Sequence, residues 1–248
     1  MEPFFTVITV VRNGASFIEE CLDSLRNQTF SNFEYILIDG GSTDGTIEII
    51  QKNLDIVSFF ISESDLGIYD AMNKGISLAR GKYIGIINSD DKYNRWTLEK
   101  VFSEVDLPSK ECVAYGAIEF SDSKNQSQRI DHTELSSRMI YHPAVFVSKA
   151  VYMRLGFFNL KYQIAADYEF MLRCFVDKVE FLPIDSSLAV YRRGGFSNMH
   201  QYRSLIEAFK IQIKYYPKTS NIAFYRLIRA LVGTSLRKIS RIENEREP

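Results

Sequence analysis

The sequence has few cysteines, little net charge and no long apolar segment, and each of these absences excludes a class of protein. The 248 residues contain three cysteines, Cys21, Cys112 and Cys174, an odd number scattered along the chain. This pattern suits a reducing compartment and argues against a disulfide framework or a zinc cluster. A net charge of −1 gives no overall attraction to nucleic acid, so we expect no nucleic acid partner.

The first segment also lacks the features of a targeting signal. It reads MEPFFTVITVVRNG, without a basic start, and its apolar run is too short for a signal peptide or a membrane span. No other segment of membrane-spanning length is free of charge. We therefore expect a cytoplasmic protein, whose 46% hydrophobic residues suffice for one full-sized core or one domain with an appendage.

The first half of the chain alternates short apolar runs with segments of helical periodicity. Continuous β-branched runs such as FFTVITVV are typical of strands that are buried on both faces. The βαβαβαβ order predicts a mostly parallel sheet with right-handed crossovers. The predicted strands span 4–11, 33–39, 57–62 and 82–88, and the predicted helices span 15–28, 45–54 and 68–80.

The second half is less regular, and it contains no repeat, low-complexity run or linker. We predict one domain with a helical tail. The predicted strands are 112–120 and 142–148, 179–198 is a strand followed by a glycine-containing loop, and the predicted helices are 165–176, 200–216 and 221–242.

Carboxylate and amide side chains cluster where the predicted strands end. Asp39 ends the second strand, SESD (62–65) follows the third, and NSDD (88–91) follows the fourth. Parallel α/β sheets bind their ligands at the carboxyl ends of the strands. The sequence therefore predicts a binding site along this edge.

Four segments, taken in order and spacing, resemble family 2 glycosyltransferases with the GT-A fold. They are TVITVVRNG, ILIDGGSTDGT, GIYDAMNKGISLARGKYIGIINSDD and AADYEFMLR, and the resemblance runs through most of residues 4–198. Within the family, the sequence looks most like bacterial enzymes that build surface polysaccharides. The resemblance implies an α/β GT-A domain at 1–220, with a Rossmann-like nucleotide-sugar-binding half (1–105), an acceptor-binding catalytic half (106–220) and a C-terminal helix (221–248).

The resemblance also implies a reaction. The family transfers a sugar from a nucleotide-sugar donor with a divalent metal and with inversion at the anomeric carbon. For this chain it implies a UDP-sugar that carries a hexose or N-acetylhexosamine, and a glycan or lipid-linked acceptor; uracil is the commonest base in the family.

NSDD stands where the family has its Asp-x-Asp metal motif. Because the first position is Asn88, the resemblance assigns Mn²⁺ or Mg²⁺ to Asp90, with Asp91 as a weaker ligand. Such cations prefer oxygen ligands and take most of them from phosphate and water. The alternative is an Asp-rich turn that caps the following helix.

The donor contacts are also implied by the resemblance. Many relatives have a second acid where this chain has Gly40, so Asp39 must carry the base contact or it is lost. Arg12 covers a base face or is a solvated loop residue, and for Asp44 we favour helix capping. The residues assigned to the nucleotide-sugar are Thr9, Arg12, Asp39, Asp65, Asn73, Lys74, Ser89 and Asp90.

Asp167, in AADYEF, matches the family's catalytic base, which takes a proton from the attacking acceptor hydroxyl. The alternative is a carboxylate that only favours the helix N-terminus. His142 resembles a histidine on the acceptor side, or is a packed histidine. In the loop RRGGFSNMH, Arg192, Arg193 or Ser197 could close over the diphosphate, and His200 could add a metal ligand, although we favour no such role for His200.

Three other classes of protein compete with this interpretation. A Rossmann dehydrogenase needs G-x-G-x-x-G after the first strand, where this chain has RNGASF. A nucleotidyltransferase usually has a glycine-rich basic stretch there, which is absent. A non-catalytic GT-A-like binding module would be favoured by loss of both Asp90 and Asp167, and both are present.

The predicted last helix, 221–242, is amphipathic. One hypothesis is that it makes a peripheral contact with the inner face of the cytoplasmic membrane. The alternative is that its apolar face packs on this domain or in a homodimer. That face carries Phe224, Ile228, Leu231, Val232, Ile239 and Ile242, and the opposite face carries Arg226, Arg229, Arg237 and Arg241.

Overall fold

A nine-stranded sheet with flanking helices forms the core of residues 1–193. The structure is a computed structural model that describes residues 2–105, 111–195, 200–219, 224–225 and 227–231. The strands are β1 (Phe5–Val11), β2 (Phe33–Asp39), β3 (Phe59–Ser62), β4 (Tyr83–Asn88), β5 (Lys92–Tyr93), β6 (Cys112–Phe120), β7 (Ser123–Gln128), β8 (Val145–Ser148) and β9 (Glu180–Tyr191). The helices are α1 (Ile18–Arg26), α2 (Thr46–Gln51), α3 (Ile68–Leu78), α4 (Thr97–Val105), α5 (Lys149–Leu155) and α6 (Ala166–Val176), with 3₁₀ turns at His132–Glu134 and His142–Ala144.

The sheet has the strand order β3-β2-β1-β4-β8-β6-β9-β5, with β7 paired to β6. Strands β1 to β4 are parallel to one another, and β6 is parallel to β9. Strand β8 is antiparallel to both β4 and β6, so β6 and β9 run in the same direction as β1 to β4. The predicted mostly parallel sheet is therefore confirmed.

The most buried part of the sheet is where the sequence has its β-branched runs. All seven residues of β1 are buried. Helix α1 covers this region with Ile18, Cys21, Leu22 and Leu25, whose spacing puts them on one helical face. The helix begins later than predicted, because a turn precedes it in which the backbone N–H groups of Phe17 and Ile18 bond to the carbonyl of Gly14.

Three elements were not predicted: β5, β7 and α5. Strand β7 is polar throughout, and only its pairing with β6 makes it a strand. The predicted strand at 142–148 begins instead with a 3₁₀ turn at His142–Ala144, because Pro143 has no backbone N–H to contribute to a ladder. This turn places His142 just ahead of β8.

Residues 194–248 form a second unit. It contains helix α7 (Gln201–Tyr215) and a 3₁₀ turn at Pro217–Thr219. Residues 224–225 and 227–231 are helical, which agrees with the predicted last helix as far as it is described; the rest of 221–242 lies outside the described residues. The division of 1–220 into two halves, with a tail at 221–248, stays a prediction. In the part of the chain that the structure describes, no helix is long and apolar enough to cross a bilayer.

Candidate active site

The carboxyl ends of four parallel strands meet at one edge of the sheet. In the strand register, Asp39 lies opposite Val11 on one side and Ser62 on the other. Asn88 lies opposite Val10, on the far side of β1. The predicted clusters after β2, β3 and β4 are therefore brought together along this edge.

Two loops at this edge are joined by hydrogen bonds. The N–H of Asn13, a residue with a φ of 54°, donates to Oγ of Ser42 at 2.7 Å, and Oδ1 of Asn13 accepts from the N–H of Thr43 at 2.9 Å. The carboxylate of Asp44 accepts from the N–H groups of Ala15 at 3.0 Å and Thr46 at 3.1 Å. Thr46 begins α2, and the N-cap residue of this helix is Gly45, so Asp44 bonds the first helical N–H and joins two loops without being the N-cap residue.

Asp39 is fully buried, and both of its carboxylate oxygens are occupied. Oδ2 accepts from the N–H groups of Gly41 and Ser42, both at 3.0 Å, and from the hydroxyl of Ser62 at 2.7 Å. Oδ1 accepts from the hydroxyl of Ser42. A nucleotide cannot reach this carboxylate without displacing these donors. Of the two outcomes expected for Asp39, that it carries the base contact or that the contact is lost, this geometry favours the second.

Asp65 lies beside Gly40, next to the end of β2. Its Oδ2 occupies the space beside Gly40 that a Cβ there would need, and its Oδ1 accepts from the N–H of Gly67 at 2.9 Å. The Cβ of Arg12 borders the same space, and the Arg12 side chain is exposed. Among the described residues, nothing forms a hydrogen bond or ion pair with the Arg12 guanidinium. The structure therefore brings Asp65 and Arg12 together on either side of Gly40.

Asn73 and Lys74 have other partners in this structure. The amide of Asn73 donates to the carbonyl of Phe158 at 3.0 Å and accepts from its N–H at 2.9 Å. The ammonium of Lys74 lies 2.7 Å from Glu63 and 3.4 Å from Asp70, and the hydrogen bond with Glu63 raises the pKa of Lys74. Asn73 is thus a structural bridge, and Lys74 must leave two carboxylates to approach a diphosphate.

Thr9 and Ser89 differ in their positions. Thr9 is fully buried, and its hydroxyl lies 3.7 Å from Sγ of Cys21. The structure therefore places Thr9 in the core and corrects the expectation that its side chain contacts the nucleotide-sugar. Ser89 is partly exposed, and its hydroxyl lies 3.1 Å from the position of a Cβ on Gly14. Ser89 therefore remains at the binding edge.

Asp91 is hydrogen-bonded to the residue that directly follows β9. Only 2% of Asp91 is exposed, and its Oδ1 accepts from the N–H of Arg192 at 2.9 Å. Its Oδ2 is buried and has no hydrogen-bond partner among the described residues. Burial, together with the charge of Asp90, raises the pKa of Asp91 well above its usual range. This is a costly arrangement for an isolated carboxylate.

The guanidinium of Arg192 braces the same turn. It donates from Nε to the carbonyl of Asp90 at 3.3 Å, lies 4.6 Å from the ring centre of Phe17 and is 3.3 Å from a carboxylate oxygen of Glu20. Arg193 instead pairs with Asp122 at 3.1 Å. Closure of either residue over a diphosphate stays a prediction.

Asp90 and its neighbours fit a hard divalent cation. Asp90 is half-buried, burial raises its pKa, and within the described chain no other residue donates a hydrogen bond to its carboxylate. Oδ1 of Asn88 is also buried without a partner there. The unpaired oxygens of Asn88, Asp90 and Asp91 are of the type that Mg²⁺ and Mn²⁺ prefer. The described residues contain no cluster of three or more His, Cys, Asp or Glu side chains around a metal position, so phosphate and water would supply the remaining ligands.

Asp167 lies in the first turn of α6 and is 6% exposed. Its Oδ1 lies 2.7 Å from the hydroxyl of Tyr69 and accepts from the N–H of Tyr168 at 2.9 Å. Its Oδ2 lies 3.6 Å from Nδ1 of His142, which is too long for a hydrogen bond. The structure thus brings the two predicted residues together and adds Tyr69, which no sequence pattern had linked to Asp167.

A small cavity lies beside this pair. Its volume is about 20 Å³, enough for one water molecule. Nε2 of His142 is buried and has no hydrogen-bond partner in the part of the chain that the structure describes. Burial lowers the pKa of His142, so the imidazole is favoured in its neutral form. The cavity is lined by Ile86, Ile140, His142, Val145, Tyr152, Phe158, Asp167 and Met171.

Two other predicted residues come later in the chain than Arg193. His200 directly precedes α7 in the second unit, and a role for it as a metal ligand stays a prediction. Ser197 lies outside the described residues.

Comparison with solved structures identifies the fold. Staphylococcus aureus TarS 1–349 in complex with UDP-GlcNAc superposes with a TM-score of 0.70 at 18% identity, over 87% of this chain and 68% of that one. The mannosyltransferase PcManGT from Pyrobaculum calidifontis, in complex with GDP-Man and Mn²⁺, gives 0.66 at 19% identity, over 95% of this chain and 76% of that one. The fold is that of the GT-A glycosyltransferases.

Sequence comparison is more specific. Residues 6–178 match the profile described as glycosyl transferase family 2. A PGL/p-HBAD biosynthesis glycosyltransferase of Mycobacterium tuberculosis (strain ATCC 25177 / H37Ra) is 35% identical over 179 residues, which cover 70% of each chain. The protein belongs to glycosyl transferase family 2 and is a glycosyltransferase.

Proposed function

We propose that the protein is a metal-dependent, inverting glycosyltransferase. It moves a hexose or N-acetylhexosamine from a UDP-sugar to a hydroxyl of a lipid-linked glycan in surface polysaccharide synthesis. One observation supports the proposal most directly: three carboxylate groups lie along the same edge of the sheet. Asp65 lies beside the end of β2, Asp90 follows β4, and Asp167 lies beside His142, next to β8.

The donor end of the site is the space between Asp65 and Arg12. A carboxylate accepts hydrogen bonds from a base N–H or a ribose hydroxyl, and an exposed guanidinium can lie flat on a base. The UDP-GlcNAc of TarS and the GDP-Man of PcManGT support a nucleotide-sugar donor. Uridine rests on the family resemblance and on the TarS complex.

Asp90 is the residue that would hold a divalent cation, with Asp91 behind it. Bound Mn²⁺ or Mg²⁺ would neutralise the diphosphate and make it a better leaving group. Asp91, anchored by the N–H of Arg192, limits the movement of the turn that presents Asp90. The Mn²⁺ of PcManGT supports this assignment.

Asp167 acts as the general base through Oδ2. Oδ1 is engaged by Tyr69 and Tyr168, whereas no hydrogen bond reaches Oδ2 within the described residues. In an inverting transfer, the acceptor hydroxyl attacks the anomeric carbon from the face opposite the diphosphate and gives its proton to the base. A carboxylate suffices, because the hydroxyl becomes acidic only as the new bond forms.

A panel of nucleotide-sugar donors tests the proposal. Release of nucleoside diphosphate is measured for each donor with Mn²⁺, with Mg²⁺ and with EDTA. We expect release from one UDP-sugar that requires the metal and increases with a glycan acceptor. Donor binding without release from any donor would favour the non-catalytic binding module. Release of pyrophosphate from a nucleoside triphosphate and a sugar phosphate would favour a nucleotidyltransferase.

A further inference from the structure

Tyr69 reaches Asp167 across a long separation in sequence. It lies in the first turn of α3, is 7% exposed, and is 98 residues from Asp167. Its hydroxyl oxygen lies 2.7 Å from Oδ1 of Asp167 and 2.8 Å from the carbonyl oxygen of Ile164. The phenol therefore faces two acceptors at the start of α6.

The phenol has one proton to share between these acceptors. An ionised carboxylate is a stronger acceptor than a backbone carbonyl, so the proton is directed to Asp167 while that residue is charged. The N–H of Tyr168 donates to the same Oδ1 at 2.9 Å. With two donors on Oδ1, the carboxylate plane is defined and Oδ2 is the oxygen left to take a proton.

We propose that Tyr69 is a positioning residue for Asp167, directing Oδ2 toward the acceptor hydroxyl. The inference rests on the proposed role of Asp167 as general base. The hydroxyl of Tyr69 does not touch the sugar or the acceptor; it acts by holding the base in one orientation and stabilising its charged form. Without it, the carboxylate can rotate about its χ2 bond.

The ring of Tyr69 is anchored independently of its hydroxyl. Its centre lies 5.4 Å from that of Phe158, and Asn73, on the next turn of α3, bonds both backbone groups of Phe158. Tyr69→Phe therefore keeps the ring packing and removes only the hydroxyl. Tyr115→Phe is a matched control, because Tyr115 is fully buried and its hydroxyl bonds to Nδ1 of His132 at 2.8 Å and not to Asp167.

Other groups that face Asp167 are unchanged in both variants. Nδ1 of His142 lies 3.6 Å from Oδ2. Burial, and to a smaller extent the charge of Asp167, raises the pKa of the phenols of Tyr152 and Tyr191. The charge of Asp90 also acts on His142 and opposes the effect of burial on its pKa. A change in pH profile that is confined to Tyr69→Phe thus reports the missing hydroxyl.

The kinetic test measures kcat, KM and pH dependence with the donor found in the panel. For Tyr69→Phe we expect kcat to fall about 10- to 100-fold, the usual effect of one hydrogen bond to a charged group. We expect UDP affinity within about threefold of wild type and an acidic limb of kcat/KM displaced to higher pH. Tyr115→Phe is expected to keep kcat within about threefold and the wild-type pH profile.

Three outcomes would overturn the inference: a Tyr69→Phe enzyme with wild-type kcat and pH profile, equal loss of UDP binding and kcat, or the same pH displacement in Tyr115→Phe. If wild type transfers no sugar from any donor, the proposed function fails, and crystal structures decide the positioning role separately. A rotated Asp167 carboxylate in Tyr69→Phe supports it, and an unchanged carboxylate rejects it.

Discussion

The carboxylate of Asp65 occupies the space that a side chain on residue 40 would need. A Cβ on Gly40 would overlap Oδ2 of Asp65 and approach the Cβ of Arg12 to 3.4 Å. Because residue 40 carries no acid, the sequence suggested that Asp39 carries the contact to the base or that this contact is lost. In the structure Asp39 is buried and fully hydrogen-bonded, and an acid from the next loop lies beside residue 40 instead.

Removing the carboxylate of Asp65, or filling the space that it occupies, should weaken binding of the nucleotide-sugar. We expect Asp65→Ala and Gly40→Ala each to weaken UDP binding about tenfold, close to the value of one charge-assisted hydrogen bond. Isothermal titration calorimetry with UDP measures both. Because both changes act on one contact, the double variant should bind about as well as Asp65→Ala alone. UDP affinity that is unchanged in Asp65→Ala would refute the assignment.

Asp90→Asn should nearly abolish metal-dependent transfer without unfolding the protein. An amide keeps the shape of the side chain but removes the charge that a divalent cation requires. Burial already disfavours that charge, so thermal unfolding of the metal-free variant should occur at or above the wild-type temperature. The exposed Asp185 provides a control, since Asp185→Asn should leave metal dependence unchanged. Equal Mn²⁺ dependence in Asp90→Asn and wild type would show that the metal is held elsewhere.

Asp167→Asn should separate binding from chemistry. The variant should bind UDP-sugar with Mn²⁺ as wild type does, and should lose transfer by about 10² to 10⁴, the usual contribution of a general base. Single-turnover assays measure the chemical step directly. The wild-type product should be β-linked when the donor is α-linked, as nuclear magnetic resonance of the glycan can show. A retained configuration, or a variant within threefold of wild type, would exclude this mechanism.

His142 should make stability depend on pH. Burial lowers the pKa of His142, an effect that Asp167 and Asp90 oppose in part. As the pH falls, the unfolded chain, whose histidines titrate near pH 6.5, therefore takes up this proton at a higher pH than the folded protein does. The contribution to stability is complete above about pH 6.5 and is lost as the pH falls through the folded pKa. Urea unfolding at pH 7.5 and 5.5 should show a larger loss in wild type than in His142→Gln; equal losses would contradict this account.

Membrane contact by residues 221–242 can be tested at two exposed positions. Phe224 and Ile228 are 56% and 45% exposed, and both belong to the predicted apolar face. Wild type should float with anionic vesicles, less so at high salt, because each interfacial arginine contributes about 1 kcal/mol. The double variant Phe224→Glu/Ile228→Glu should not float. If wild type never floats, or the variant floats equally well, the helix is a packing or dimer element.

Local pattern was enough to predict the first half of the fold and the gathering of acids at one edge of the sheet. The β-branched runs predicted strands buried on both faces, and the alternation with amphipathic segments predicted parallel pairing. Parallel strands joined by crossovers must end at the same edge, so the acids after β2, β3 and β4 had to meet. The same reasoning failed for β7, whose six polar residues form a strand only through their pairing with β6.

Which carboxylate oxygens remain available was decided by the tertiary structure alone. Asp39 and Asp65 are both acids at strand ends, yet Asp39 is saturated by its own loop and by Ser62, and Asp65 is half-buried beside Gly40 and accepts one hydrogen bond, from the N–H of Gly67. Tyr69 meets Asp167 only because the fold brings α3 to the start of α6 across 98 residues. Periodicity and composition report which face of an element is apolar. They do not show which hydrogen-bond donor reaches which carboxylate oxygen, because packing between distant segments sets those distances.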